Sequence, residues 1–172
     1  SCTVYNQSTG DGYCYDWDES KGQRGANEIG SLLYLYMKEN IPSNAEHVVI
    51  TSDSTVSQNR NQFVTAMMLL AVQTMPTLLT IENKFLETGH TEMEVDSVHS
   101  AIDNAKRDVK VYIPSEWNIV LQMARRRPRP YIVRDIDRAE LFDLHQLSNT
   151  LGTNKIQKDV SGNSVSWMQI KA

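Results

Sequence analysis

The hydrophobic pattern opens with two short β-prone runs, Thr3-Val4-Tyr5 and Tyr13-Cys14-Tyr15 with Trp17, joined by Gln7-Ser8-Thr9-Gly10-Asp11-Gly12. Runs of this kind around a Gly/Asp/Ser cluster predict an antiparallel hairpin. From Gly25 the period becomes helical, with Ala26, Ile29, Leu32, Leu33, Tyr36 and Met37 on one stripe and Pro42 at the exit. His47-Val48-Val49-Ile50-Thr51 is a short continuous apolar run, which predicts a strand buried on both faces. A helix carrying Phe63, Ala66, Met67, Leu70 and Ala71 follows, with Ser57 as its expected N-cap and Pro76 at its end. The methionines on it read as core filler.

The alternation continues downstream. Leu78 to Leu86 predicts a strand, and Gly89 turns into a helix reaching about Lys106. Val109 to Ile113 reads as a short strand, Pro114 to Ala124 as a helix, Tyr131-Ile132-Val133 as a strand and Ala139 to Leu147 as a short helix. Leu151 to Gly162 reads as a polar loop, and Val165 to Ile170 alternates as a last edge strand. The expected architecture is α/β: a mixed sheet flanked by helices, hairpin first, in a single domain over residues 1–172.

Composition narrows the classes. With 172 residues and 40% hydrophobic content the chain can bury one core. No apolar run approaches the ~20 residues that span a bilayer, so a soluble protein with no membrane partner is expected. The net charge of −4 argues against wholesale coating of nucleic acid, although Arg125-Arg126-Arg127-Pro128-Arg129 concentrates positive charge locally. Two cysteines, Cys2 and Cys14, are too few for a disulfide framework and point to a reducing, intracellular setting. The start at Ser1-Cys2 suggests a piece of a longer chain.

Chemistry concentrates between Gly89 and Ser100, where His90, Glu92, Glu94, Asp96 and His99 fall within twelve residues. A second polar knot, Thr51-Ser52-Asp53 through Gln58-Asn59-Arg60-Asn61, also follows an apolar run. Carboxylates just beyond strand ends are the material of metal-dependent phosphoryl-transfer sites, which need several acids converging on cations ~4 Å apart. At ~100° per residue, Val95, Val98, Ile102 and Ala105 form the stripe facing the core. Glu92, Asp96, His99 and Asp103 share the neighbouring flank, and Glu94 lies across the apolar stripe from Asp96. Thr91 and Glu94 match a capping box, which gives Glu94 a structural task and leaves Asp96 as the preferred site acid. Solvated polar surface is the ordinary alternative for Asp96 and His99. His90 is open to three readings: ligand, phosphate contact or turn residue. Asp16, Asp18 and Glu19 end the second hairpin strand and are open to a ligand reading, although acids at a strand exit are more often solvated, and Glu28 reads as a dipole-favoured first-turn acid.

Several strings taken together carry a resemblance. They are Trp17-x-Glu19, Arg24-Gly25-x-Asn27-Glu28-Ile29, Ser52-Asp53 with Gln58-Asn59-x-Asn61, Lys84-Phe85-Leu86-Glu87-x-Gly89-His90-Thr91-x-Met93-Glu94-x-Asp96-Ser97-x-His99-Ser100, and Tyr112-x-Pro114-Ser115-x-Trp117. Residues 14 to 117 resemble an RNase H-like domain of unknown function found in insect and other invertebrate proteins, similar to the DDE-type transposases of transposable elements.

The resemblance implies an RNase H-like mixed sheet and a two-metal site for DNA strand cleavage or transfer. Asp53 would be the acid after the central strand, Asp96 (or Glu94) the acid of the late helix, and Glu28 the position where RNase H keeps a glutamate. Asp53 and Asp96 would hold Mg²⁺ or Mn²⁺, with His99 or His90 assisting the proton transfer or contacting phosphate. Arg125, Arg126, Arg127 and Arg129 would contact the DNA backbone. A nuclear location is expected with that role. The first acid of such sites would lie upstream of Tyr5-Asn6. The alternative is a domesticated, catalytically inactive domain that binds protein or DNA.

Overall fold

The computed structural model describes residues 1–53, 58–59, 61–86, 94–107, 109–111, 113–151 and 161–163. Among them the chain is mixed α/β, with five strands, five α-helices and one 3₁₀ turn. Its contacts divide it into two compact units, one of residues 1–23 and 90–140, the other of 24–89 and 141–172.

In the first unit, β1 (Cys2–Asn6) and β2 (Asp11–Asp16) form the expected antiparallel hairpin, with Tyr5 opposite Gly12. Asn6 shapes the turn by accepting the Ser8 N–H at 2.9 Å, and Gly10 supplies the positive φ that closes it. β5 (Ile132–Asp135) then lies parallel to β2, giving the order β1-β2-β5. Helices α3 (Glu94–Lys106) and α4 (Pro114–Met123) pack on this sheet and on each other. Cys14, Val98, Ile102, Leu121 and Tyr131 form the core they share. The stripe expected of α3 thus reaches the interior through Val98 and Ile102. Gly12 permits the packing, because a Cβ there would stand 2.7 Å from the Tyr131 ring.

In the second unit, α1 (Ala26–Asn40) and α5 (Leu144–Leu151) are tied together, and α2 (Gln62–Thr74) packs on both. Asn27 Oδ1 accepts the Leu144 N–H at 2.8 Å and Ser31 Oγ accepts the Phe142 N–H at 2.9 Å. β3 (His47–Asp53) and β4 (Thr80–Leu86) are parallel, joined by α2 as a βαβ crossover. His47 Nδ1 meets Thr80 Oγ1 at 2.7 Å across the first pair of the ladder.

Four expectations change. A mixed sheet is present as β1-β2-β5, antiparallel then parallel, but the described strands fall into two sheets and not a single one, β3 and β4 making the second. β3 is half-buried at alternate residues and Val49 is 54% exposed, because among the described residues its ladder holds only one other strand. Val109 to Ile113 is not a strand among the described residues: no strand edge pairs with it, and Val109, Val111 and Ile113 stay exposed. The helix expected from Ala139 starts at Leu144, since Glu140 closes a 3₁₀ turn by accepting the Asp137 N–H while Asp143 accepts the Gln146 N–H. Ser57, the edge strand at 165–170 and most of the 151–162 loop lie outside the described residues, and the N-cap of α2 is Asn61.

Candidate functional site

Asp53 is the last residue of β3, at the carboxyl end of the parallel pair. Open parallel sheets place their ligand-binding loops at this end, because each strand there hands over to a loop leading into a helix. The following segment keeps that form. Asn59 Nδ2 donates to Asp53 Oδ1, and Asn61 Oδ1 accepts the N–H groups of Phe63 and Val64 at 3.0 and 3.1 Å, which starts α2. One polar segment therefore dresses the strand-end acid and caps the next helix.

Glu28 lies in the same unit, buried in the first turn of α1, and its Oε2 accepts the Gly25 N–H at 3.1 Å. That bond satisfies a helix-end amide that has no partner within the helix.

Glu94, Asp96 and His99 sit on α3 in the other unit, and all three are exposed. Glu94 accepts from Gln7 Nε2 at 3.3 Å. Asp103, on the flank shared with Asp96 and His99, pairs with Lys106 at 3.0 Å. His90, Thr91 and Glu92 lie outside the described residues.

The arginine run divides in two. Arg125 donates through Nε to the Arg129 carbonyl at 2.7 Å and through Nη1 to the Gly10 carbonyl at 3.2 Å, and its guanidinium covers the Tyr131 ring. Arg129 donates to the Thr9 carbonyl and pairs with Asp11, both at 3.0 Å. These two side chains hold the hairpin turn against the segment after α4. Arg126 and Arg127 are exposed.

A second polar cluster was not legible as one from the sequence. Asp16 and Asp135 are register partners at the carboxyl ends of β2 and β5. Burial, and then the Asp135 charge, push the Asp16 carboxyl above its ordinary value. Lys21 bonds to both oxygens of Asp135 at 3.0 and 2.9 Å and approaches Asp137 at 3.7 Å. Reading Tyr131 to Val133 as a strand located Asp135 near a strand end, but its partner strand is more than a hundred residues away. Local pattern carries no signal for that pairing.

No family model, no curated protein and no solved structure matches the chain. Among the described residues no three His, Cys, Asp or Glu side chains gather as a metal-binding group. Asp53 offers the hard oxygen donors that Mg²⁺ and Mn²⁺ prefer. A two-cation centre needs several acids, so the described residues do not by themselves fit one. Among these residues no helix is long and apolar enough to cross a membrane.

Proposed function

We propose that this chain is a transposase-derived, RNase H-like domain that engages DNA, with Asp53 as the acid around which a two-metal phosphoryl-transfer site is organised. The observation that carries the reading is the position of Asp53 at the carboxyl end of β3, followed by a polar segment that contacts its carboxylate and caps α2. The Asp53 carboxylate would hold Mg²⁺ or Mn²⁺, and Asp96 or Glu94 is the other acid that the resemblance implies. His99 and His90 are the proposed proton-transfer or phosphate-contacting groups, and Glu28 a further candidate. A nuclear location follows from the reading.

The second reading is a domesticated, inactive domain that binds DNA or protein. It is favoured by the Asn59 amide on Asp53 Oδ1, a position that cation ligation would require, and by the structural engagement of Arg125 and Arg129.

Thermal unfolding with increasing Mn²⁺ separates the two. Metal at one hundred times its Kd stabilises the native state by about 2.7 kcal/mol. The first reading expects that gain in the wild-type chain and its loss in Asp53→Asn. Equal responses of the two proteins would sink the metal-centred reading and leave the binding one. Duplex DNA affinity, measured at several salt concentrations, then tests binding, since each phosphate neutralised adds about 0.9 to the salt slope.

A further inference from the structure

Residues 124–131 join α4 to β5, and side chains of the connection itself hold it against the hairpin. Arg125 donates to the carbonyls of Arg129 and Gly10, which closes the segment on itself and ties it to the turn between β1 and β2. Arg129 reaches the same turn, donating to the Thr9 carbonyl and pairing with Asp11. Pro128 and Pro130 remove further backbone freedom, because the ring of a proline fixes φ at about −65°.

Arg126 and Arg127 take no part in this bracing. Both are exposed, and neither has a hydrogen bond or ion pair among the described residues. Residues 125–129 carry four guanidiniums and no acid, and Asp11 offsets one of them. Two adjacent cations are thereby left in solvent, their Cα atoms about 3.8 Å apart, on a segment whose flanking arginines spend their donors on holding it in place. Such a pair suits phosphate, since each planar guanidinium can present two parallel N–H groups to two oxygens of one anion. Holding the segment before the anion arrives lowers the ordering entropy that binding costs. The chain as a whole carries a charge of −4, so affinity for a polyanion depends on where cations are left unpaired.

We propose that Arg126 and Arg127 are the pair that contacts the phosphate backbone of DNA, and that Arg125 and Arg129 are positioning residues that present them. The assignment rests on the DNA-engaging reading above, and it separates by role four arginines that the sequence treats alike.

Fluorescence anisotropy of a labelled duplex over a series of salt concentrations tests it, with circular dichroism melting as the control for folding. Each phosphate neutralised contributes about 0.9 to the slope of log K against log salt, so the double variant Arg126→Ala, Arg127→Ala is expected to lower the wild-type slope by about 1.8. Its melt is expected to match the wild type. Arg125→Ala, measured below its melting transition, is expected to bind more weakly at every salt concentration while keeping the wild-type slope. A double variant that retains the full slope overturns the assignment and leaves DNA binding to other residues. An equal loss of slope in Arg125→Ala overturns it too, because all the arginines then act as contacts. Polyglutamate, a polyanion without phosphate, is expected to compete poorly with the duplex, and competition on equal terms would assign the pair to an acidic protein instead. A wild-type chain with no affinity for duplex at the lowest salt overturns the DNA reading itself, and this assignment with it.

Discussion

The Arg125 guanidinium lies 4.5 Å from the centre of the Tyr131 ring, and Tyr131 in turn occupies the space that a side chain at Gly12 would need. One stack thus links the segment after α4, the start of β5 and the hairpin. Arg125→Ala removes two hydrogen bonds and a cation–π contact, and is expected to cost about 2 kcal/mol in urea unfolding. Arg125→Lys keeps the charge but not the fork of donors, so it recovers only part of that loss. Arg126→Ala, at an exposed site, is expected to change stability by no more than about 0.5 kcal/mol.

Gly12→Ala tests the same stack from the other side. Its Cβ would meet a buried aromatic ring, which has no flexible end to turn away, so the overpacking cost of about 1–3 kcal/mol exceeds what alanine gains in a strand interior. Tyr131→Leu in the same chain makes room, and the double variant is expected to lose less than the sum of the two single changes.

Asp16 bears on pH. Its carboxyl is raised, so the folded state binds the proton more tightly than the unfolded chain does. The stability linked to this group is therefore fully present below the ordinary carboxylate value and is lost as pH rises through the folded one. Asp16→Asn is expected to stabilise the fold at pH 7, and that advantage should shrink toward pH 3. Denaturant titrations at the two pH values measure it.

The thiols should be inert in the native state. Burial pushes Cys14 up to about 11, so at pH 8 almost none of it is thiolate. Cys14 lies opposite Thr3 and Cys2 opposite Tyr15, which puts the two sulfurs on opposite faces of the hairpin and forbids a disulfide between them. Ellman's reagent is expected to titrate two thiols only after denaturation. A rapid native reaction at Cys14 would contradict its burial.

Asn61→Ala should cost about 1 kcal/mol, the usual loss of a side-chain N-cap. Urea unfolding of the variant and the wild type measures the difference.

The sequence was most informative where the cause is local. The hairpin follows from its turn residues, α1 to α4 from apolar stripes and prolines, and β3 and β4 from short apolar runs, so Asp53 could be placed at a strand end. Val109 to Ile113 misled because alternating apolar residues become a strand only beside a partner edge, and among the described residues none is supplied. Ala139 misled because the chain spends Phe142 and Leu144 on bonds to Ser31 and Asn27 of α1 before the helix begins. The cap of α2 shifted from Ser57 to Asn61 because Asn61 reaches two helix-end amides at once. For the site, spacing showed which α3 residues share a flank. Which acids from different elements meet is a long-range matter that periodicity does not encode.

The pairing of β5 with β2 also orders the assembly of the molecule in time. During synthesis the hairpin emerges first, but a two-stranded hairpin is marginal on its own. Its third strand is made only when residues 132–135 leave the ribosome, after the whole of 24–89. The hairpin must therefore remain open, or loosely formed, until that strand arrives. A chain released before Ile132 would carry both edges of β2 without the strand that closes one of them, and would be the form most exposed to aggregation.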